Sequence, residues 1–244
     1  ERLGRVEHHT RLHPFALDGL DAAVRMRTGV GVKADEVSPR IGKRSGQRST
    51  AQPVINEKII ECARRYPKVV RLKGGDPMLF GRADEELNAL KSAGIAVEVV
   101  PGITSALAGA ASICNSLTLR GVSRSVAFVT LAQGSEHLPS EGSSQPISAP
   151  NADTMVYYMG RKDCTKIAQQ LINGYSNEHD QQRKHHAHTP VYILEAVSTP
   201  RERHWSSTLG EIAKGAADSW FNPNSPALIL AGEALRNKTQ TNTN

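Results

Sequence analysis

An α/β fold is predicted by the sequence, because short apolar runs alternate along the chain with segments of helical periodicity. The clearest alternation runs through a helix at residues 50–66, a strand that begins at Val69, a helix at residues 83–93 and a strand at residues 95–100. A second series of strands and helices follows Gly121. Helices that join successive strands are typical of a parallel sheet with right-handed crossovers, so we expect such a sheet in the first half.

The N-terminal part of the chain shows the weakest periodicity. Residues 18–26 could form a helix, and the glycine-spaced residues 28–32 are interpreted as a turn. A compact basic loop is predicted at residues 41–46. Pro53 then lies near the start of the first clear helix, and Gly94 is expected to end the second.

A tight turn at Pro101 and Gly102 is predicted to follow the second strand, and Thr104 or Ser105 is expected to cap the next helix. Ligands of parallel sheets bind beyond the carboxyl ends of the strands. This turn and the loop at residues 74–76 would both lie at that edge. The two segments are therefore expected to contribute to one site.

The second half is predicted to contain five strands and two helices, with a loop rich in serine, proline and glycine. The strands lie at residues 125–131, 154–159, 190–196, 203–207 and 227–231, the helices at 163–173 and 209–216, and the loop at 134–151. Residues 117–121 are interpreted as the crossing into this half. The chain ends in a polar tail from residue 238.

Length and charge limit the classes of function. A chain of 244 residues forms one large domain or two of about 120 residues. Its 30 basic and 24 acidic residues give a net charge of +6, which favours an anionic partner. Nucleic acid is not favoured, because aromatic and basic residues do not interleave and no zinc-finger spacing occurs. No apolar run approaches the roughly 20 residues needed to cross a membrane, so no membrane partner is expected.

Cysteine usage favours a reducing compartment. The three cysteines, Cys62, Cys114 and Cys164, are odd in number, far apart and without a C-x-x-C pair, and we interpret them as small core residues. A cytoplasmic protein is expected on this basis. Targeting to an organelle is left open, because the sequence begins at Glu1.

The stretch VVRLKGGDPMLFGR, residues 69–82, contains the strongest candidate site. It begins with an apolar strand, breaks at Gly74 and Gly75, and turns at Asp76 and Pro77. Glycine reaches backbone conformations and close contacts that other residues do not, so a ligand can touch the backbone there. Taken alone, the stretch leaves the identity of that ligand open.

A histidine-rich segment at residues 176–189 has two interpretations. Clustered imidazoles, here those of His179, His185, His186 and His188, can bind a transition metal. No cysteine or ordered acidic ligand shares their spacing, however, and a solvated insertion between helix and strand is the favoured interpretation. No metal site is therefore predicted.

Three further segments make a resemblance specific. RLKGGDPMLFGRADEE, EVVPGITSALAGAAS and SLTLRGVSRSVAFVT resemble the tetrapyrrole methylase family, in particular its members that methylate uroporphyrinogen III. IGKRSGQRSTAQPVINEKI, MVYYMG, STPRERHWSSTL and SPALILAGE fit the same family in the same order. The resemblance spans about residues 41–233. It implies two α/β domains of the tetrapyrrole methylase type, residues 1–120 and 121–238, with a tail at 239–244, the active site in the cleft between the domains, and usually a homodimer.

The resemblance also implies a reaction and a donor site. The methyl donor would be S-adenosylmethionine, and two successive methylations would convert uroporphyrinogen III to precorrin-2 for siroheme or cobalamin. Methyl transfer from a sulfonium to carbon is an in-line displacement, which mainly requires positioning and exclusion of water. The residues expected to bind the donor are Gly74, Gly75, Asp76, Leu79, Thr104, Ser105, Met159 and Val197.

The tetrapyrrole substrate carries eight carboxylates and requires cations, ideally arginines in bidentate geometry. The substrate-binding candidates in or beside the motif loops are Arg44, Arg48, Arg82, Arg120 and Arg124. Lys43 matches the lysine that the family associates with proton handling and is the first catalytic candidate. Asp21 precedes Lys43 at a spacing comparable to that of the family's active-site aspartate and is the second.

The sequence departs from the family pattern at several positions. The family's first loop, G-x-G-P-G-D, has no match in residues 1–40, and Leu119 stands where the family has a histidine. Leu131 and Ala132 replace a Gly-His pair, and Val197 replaces a glycine near the adenine pocket. Two alternatives therefore remain open: a catalytically impaired or non-catalytic relative that binds a ligand or dimerises, and a related methylase with a different acceptor.

Overall fold

The computed structural model describes residues 21–27, 50–131, 151–173 and 184–236, and its fold is α/β as the sequence predicts. The first half contains β1 (Asp21–Arg27), α1 (Gln52–Arg65), β2 (Lys68–Gly74), α2 (Ala83–Ser92), β3 (Val97–Val99) and α3 (Ser105–Ser112). The second contains β4 (Val126–Thr130), β5 (Thr154–Tyr158), α4 (Cys164–Asn173), β6 (Pro190–Glu195), β7 (Arg203–Thr208), α5 (Leu209–Ala213) and β8 (Ala227–Gly232). Short 3₁₀ turns at Arg161–Asp163 and Glu233–Leu235 complete the described elements.

The first sheet differs from expectation in two ways. Its order is β2-β1-β3, and β1 is antiparallel to both neighbours, so the prediction of adjacent parallel strands is wrong. The helix considered for residues 18–26 is also wrong, because Asp21–Arg27 forms the central strand. Val24 and Met26 alternate with Arg25 and Arg27, and a segment this short satisfies helical and strand periods equally. Pairing with β2 and β3 then stabilises the strand conformation.

Helices α1 and α2 cover one face of this sheet. Ile55, Ile59 and Ala63 on α1 and Leu90 on α2 form a buried cluster, which confirms the predicted apolar face of α1. Gly94 ends α2 with a φ of +72°, a left-handed conformation that glycine adopts without strain.

A buried ionic cluster joins α1, β2 and α2. Glu86 Oε1 lies 3.0 Å from the Lys73 ammonium nitrogen. The two groups form an ion pair, but their geometry does not meet the angles of a hydrogen bond. The same oxygen accepts longer hydrogen bonds, of 3.4 Å each, from Gln52 Nε2 and Arg71 Nη2. The side chains of Glu86 and Lys73 are only 6% and 8% exposed. Because Lys73 immediately precedes Gly74, the cluster fixes the end of β2 from which the glycine loop leaves.

Replacing Glu86 by glutamine is expected to destabilise the fold strongly. The substitution keeps the shape of the side chain but leaves the buried Lys73 ammonium without its counter-charge, which costs about 3–5 kcal/mol. Urea unfolding measures the difference. Glu85→Gln on the same helix is the control, since its exposed pair with Arg82 contributes about 1 kcal/mol or less. Equal losses in the two variants would contradict this assignment.

The second sheet has the order β4-β5-β8-β6-β7. Strands β4 and β5 are parallel, and β8 is antiparallel to both β5 and β6. Strands β4, β5 and β6 therefore run in the same direction, and their carboxyl ends lie at one edge. Residues that follow these strands, including Met159 and Val197, are brought to that edge.

The two faces of the second sheet are covered by different helices. Met155, Tyr157 and Ile193 pack with α4 and α5 on one face. On the other, Val156, Tyr158 and other strand residues pack with Ala106 and Ala110 of α3. A helix of the first half thus completes the core of the second, so the end of α3 nearest the glycine loop is held against the sheet.

Asp153 joins the start of β5 to the start of β4. It accepts hydrogen bonds from the amides of Arg124 (2.8 Å) and Ser125 (3.0 Å) and from the Ser125 hydroxyl (2.8 Å), and it pairs with Lys184 at 3.0 Å. The Arg124 amide, followed by the Ser125 hydroxyl and Lys184, lowers the pKa of the Asp153 carboxyl well below its ordinary value. The ionised form is therefore the one that stabilises the fold.

Asp153→Asn is expected to reduce stability in a pH-dependent way. Near pH 7 the loss of charge-assisted hydrogen bonds should cost about 1–3 kcal/mol. Because the folded-state pKa is depressed, the carboxylate's contribution is complete above about pH 4 and is lost as the pH falls further. Chemical unfolding across this range should show the two proteins converging in acid. The control is Asp84→Asn, an exposed substitution on α2, whose stability should remain within about 0.5 kcal/mol of wild type. A stability difference between wild type and Asp153→Asn that stays constant with pH would contradict the assignment.

The described part of the histidine-rich segment, residues 184–189, contains both exposed and buried side chains. His186 and His188 are exposed, but the solvated interpretation is wrong for His185, which is 4% exposed and donates from Nε2 to the Ala152 carbonyl at 2.9 Å. Burial lowers the pKa of His185, so the neutral ring belongs to the core. His179 lies outside the described residues. Within the described ranges, no group of three or more histidine, cysteine, aspartate or glutamate side chains is placed to bind a metal ion.

All three cysteines are free, and their environments differ. Cys164 is buried, whereas Cys114 is exposed, so the interpretation as core residues is wrong for Cys114. Cys114 lies in the turn after α3 and has a positive φ of 53°. In the part of the chain that the structure describes, no helix has the length and apolar character needed to cross a membrane.

Candidate active site

The glycine loop after β2 contacts the segment that begins α3. Gly75 has a φ of +72°, and a Cβ at this position would lie 3.7 Å from the Ile103 carbonyl oxygen and 3.8 Å from the Ser105 nitrogen. There is room for a methyl group, so the left-handed backbone rather than crowding requires glycine. The two loops expected at one edge are thus in direct contact.

Asp76 bridges these two loops. Its Oδ1 accepts a hydrogen bond from the Met78 amide at 2.8 Å, and its Oδ2 accepts one from the Gly102 amide at 2.9 Å. The side chain was expected to receive hydrogen bonds from a donor molecule; the structure shows that it also holds the loop together. A carboxylate has about four acceptor positions, so two remain for a ligand.

Thr104 occupies the N-cap position of α3, as expected, but its hydroxyl does not cap the helix. Thr104 Oγ1 instead lies 2.6 Å from the Tyr158 hydroxyl. That hydroxyl also accepts a hydrogen bond from the Ala106 amide at 3.3 Å. The end of β5 therefore supplies the cap that Thr104 was expected to supply.

The remaining donor-site candidates surround these contacts. Leu79 and Val197 are partly buried against the core on the α3 face of the second sheet. Ser105 is the first residue of α3 and is half-buried. Met159 follows Tyr158 with a φ of +57° and is 56% exposed. The structure thus brings the candidates of the two loops together at the end of β5, where Met159 follows Tyr158, whereas Val197 lies against Gly109 further along α3.

An apolar rim borders the same edge. Phe80, Ile103, Leu131 and Met159 are all exposed to at least 38%. Leu131 and Met159 follow the paired residues that end β4 and β5, and Phe80 packs edge-on against Tyr158. Exposed apolar side chains around a few convergent polar groups are typical of a small-molecule site.

The substrate-binding candidates are placed less uniformly. Arg82 already forms a two-point ion pair with Glu85, with distances of 2.6 and 2.8 Å. Arg120 and Arg124 are exposed. Arg120 lies within the tight turn that Leu119 and Ser123 close with two backbone hydrogen bonds, and Arg124 follows that turn. To bind a substrate carboxylate, Arg82 would have to release Glu85 or bind both carboxylates at once.

Of the two catalytic candidates, Asp21 is among the described residues and Lys43 is not. The substrate-binding candidates Arg44 and Arg48 also lie outside the described residues. Asp21 is the first residue of β1, and its Cα is paired with that of Gly74. The backbone of Asp21 therefore lies beside the first residue of the glycine loop.

A second concavity lies behind α3. Its volume is about 430 Å³, and it is lined by α3, residues 114–118 and the β4 residues Val126 and Phe128. Cys114 is the only titratable side chain among the described residues that line it. Its polar lining residues are Asn115, Ser116 and Thr118, and none of the donor-site candidates lines it, so it is a weaker candidate than the edge formed by the two loops.

Sequence reasoning missed Tyr158. The signal that could have found it is the pair of adjacent tyrosines, which lie in the fully buried strand β5. Neighbouring residues of a strand point to opposite faces, so each ring enters a different core, and a buried tyrosine hydroxyl usually finds a hydrogen-bond partner. The partner itself, 54 residues earlier in the chain, could not be identified from this signal.

Known proteins are similar to this chain over most of its length. A family model described as Tetrapyrrole (Corrin/Porphyrin) Methylases matches residues 12–213. Uroporphyrinogen-III C-methyltransferase of Pseudomonas aeruginosa is 39% identical over 198 residues, which cover 81% of this chain and 74% of that protein. Siroheme synthase 3 of Aeromonas hydrophila is 37% identical over 200 residues, covering 80% of this chain. The chain spans only 38% of that siroheme synthase.

Solved structures show the same architecture. Uroporphyrin-III C-methyl transferase from Thermus thermophilus, complexed with S-adenyl homocysteine, matches with a TM-score of 0.60 and 35% identity over 76% of this chain and 74% of that one. A cobalt precorrin-4 methyltransferase matches with a TM-score of 0.59 and 25% identity over 77% of this chain and 73% of that one. Because the family model covers most of the chain, and known proteins resemble it in sequence and in fold, the chain belongs to the tetrapyrrole (corrin/porphyrin) methylases.

Proposed function

We propose that this chain is an S-adenosylmethionine-dependent C-methyltransferase that converts uroporphyrinogen III to precorrin-2. The observation that carries the proposal is the contact between the glycine loop and the start of α3, bridged by Asp76 at the edge where β5 ends. The similarity to the Pseudomonas aeruginosa enzyme and to the Thermus thermophilus structure supports the choice of donor and acceptor. On the family resemblance we extend the proposal to a homodimer in the cytoplasm.

The residues at this edge fit such a donor. The left-handed backbone at Gly75 exposes peptide groups, and Asp76 has acceptor capacity left for hydroxyl or ammonium hydrogens. Leu79, Met159 and Val197 supply apolar contacts. When bound, S-adenosylmethionine supplies a methyl group on a positively charged sulfur.

The chain's own contribution to the reaction is mainly positional. The acceptor carbon forms a bond to the methyl carbon while the methyl–sulfur bond breaks, and the electron pair of the broken bond stays on sulfur. The acceptor then loses a proton, for which the Lys43 side chain in its neutral amine form is the proposed recipient. Holding the reactants in line and excluding water lowers the barrier without a protein nucleophile, and the apolar rim suits that purpose.

The exposed guanidinium groups of Arg120 and Arg124 are proposed to bind carboxylates of the acceptor. Leu119, beside them, favours the second candidate, a family member with altered or lost turnover. A leucine side chain cannot donate a hydrogen bond or carry a proton, so a contact that the family makes through histidine is not available here. Ligand binding without methyl transfer is the behaviour that this alternative predicts.

Turnover decides between the two candidates. The full chain, incubated without oxygen with S-adenosylmethionine and reduced uroporphyrinogen III, is expected to give a dimethylated product and two molecules of S-adenosylhomocysteine per product, one for each methyl group transferred. Mass spectrometry detects both, and a reaction without the donor is the control. Donor binding with no methylated product would contradict the enzymatic proposal, and methylation of other tetrapyrroles only would contradict the choice of acceptor.

Asp76→Ala is expected to weaken binding of S-adenosylhomocysteine far more than Arg82→Ala does. The aspartate substitution removes the hydrogen bond from Gly102, which joins the two loops, and the hydrogen bond from Met78 within its own loop, so an affinity loss of about tenfold or more is expected. Arg82 pairs with an exposed glutamate, and its removal should change affinity by less than about threefold. Titration calorimetry measures both. Equal affinity in wild type and Asp76→Ala would show that the donor site lies elsewhere.

A further inference from the structure

We propose that Tyr158 is a positioning residue of the donor site, whose hydroxyl holds the start of α3 and whose ring holds the glycine loop. The proposal rests on the proposed function in that the ligand positioned is the methyl donor. Tyr158 is the last residue of β5 and only 9% exposed. It lies between the two halves of the chain that supply donor-site candidates.

The hydroxyl replaces a helix cap. The first amides of a helix lack partners within the helix, and an N-cap threonine usually accepts from one of them. Here Thr104 makes no such bond, and the Ala106 amide donates to the Tyr158 oxygen at 3.3 Å. The Tyr158 hydrogen is then available for Thr104 Oγ1 at 2.6 Å. In this arrangement the Thr104 hydrogen is left for another acceptor, such as a bound ligand.

The ring contacts the other loop. The Phe80 ring, in the segment that follows Asp76, lies edge-on to Tyr158 with 4.9 Å between centroids. The Phe128 ring of β4 approaches it at 6.1 Å and 88°. One side chain therefore contacts the glycine-loop segment, the start of α3 and the neighbouring strand.

A packing role alone does not require the hydroxyl. Phenylalanine would fill the same space and keep both aromatic contacts. The hydroxyl is buried, and its partners are a donor-site candidate, Thr104, and the amide of Ala106, two residues further on. Tyr157 supplies a matched comparison, since it lies on the same strand, points to the opposite face and packs with α4 and α5.

Calorimetric binding of S-adenosylhomocysteine tests the effect on the site. Tyr158→Phe is expected to weaken binding about tenfold, because Thr104 and the Ala106 amide lose their fixed partner. Tyr157→Phe is expected to stay within about twofold of wild type. Tyr158→Phe combined with Thr104→Val should lose less affinity than the sum of the two single losses, because both substitutions remove the contact between the Tyr158 and Thr104 hydroxyls.

Three results would overturn the proposal: wild-type affinity in Tyr158→Phe, equal losses in the two tyrosine variants, or full additivity with Thr104→Val. Melting temperatures of the two tyrosine variants serve as the structural readout. A loss of affinity that merely follows a loss of stability would appear in both variants, whereas positioning affects affinity in Tyr158→Phe alone.

Amide hydrogen exchange of the ligand-free chain separates this inference from the proposed function. Exchange at the Ala106 amide should accelerate several-fold in Tyr158→Phe and stay unchanged in Tyr157→Phe, because only the first substitution removes its acceptor. Unchanged exchange in both variants would overturn the proposal. If the wild-type chain bound no S-adenosylhomocysteine, the proposed function would fail, while exchange would still decide whether Tyr158 holds α3.

Discussion

The candidate site depends on one carboxylate. Asp76 accepts hydrogen bonds from Met78 in its own loop and from Gly102 in the loop before α3, so the two loops have a fixed relation. Charge-assisted hydrogen bonds from backbone amides are among the stronger ones in proteins. The hydrogen bond from Gly102 joins the two loops directly. The glycine pair makes backbone contact with a ligand possible, and the aspartate determines where that contact is made.

Both halves of the chain support this arrangement. The ionic cluster around Glu86 fixes the end of β2 in the first sheet. The packing of α3 on the second sheet brings its N-terminus to the carboxyl end of β5, where Tyr158 completes the cap. A ligand at this edge would thus touch segments whose positions are set by two different cores. This explains how the site can be precise although it is built from loops.

Most helices and strands between residues 50 and 236 could be predicted from periodicity, glycine and proline positions, because these signals are local. The glycine loop and Asp76 were likewise visible in the sequence. The central strand at residues 21–27 was not, because its conformation depends on pairing with two distant strands. The roles of Tyr158 and Glu86 were hidden for the same reason: their partners are defined by tertiary contact. Arg82 illustrates the converse, since its motif position indicated a substrate contact and its neighbour Glu85 already pairs with it.

The most direct test of this account is a crystal structure of the chain with S-adenosylhomocysteine bound. The account predicts that the ligand lies against the peptide groups of residues 74–76, with the Asp76 carboxylate and Thr104 hydroxyl in hydrogen-bond contact and Met159 packed beside it. Tyr158 should keep its contacts with Thr104 and Ala106. Ligand bound instead in the concavity behind α3, lined by Leu107, Cys114 and Phe128, would contradict the account.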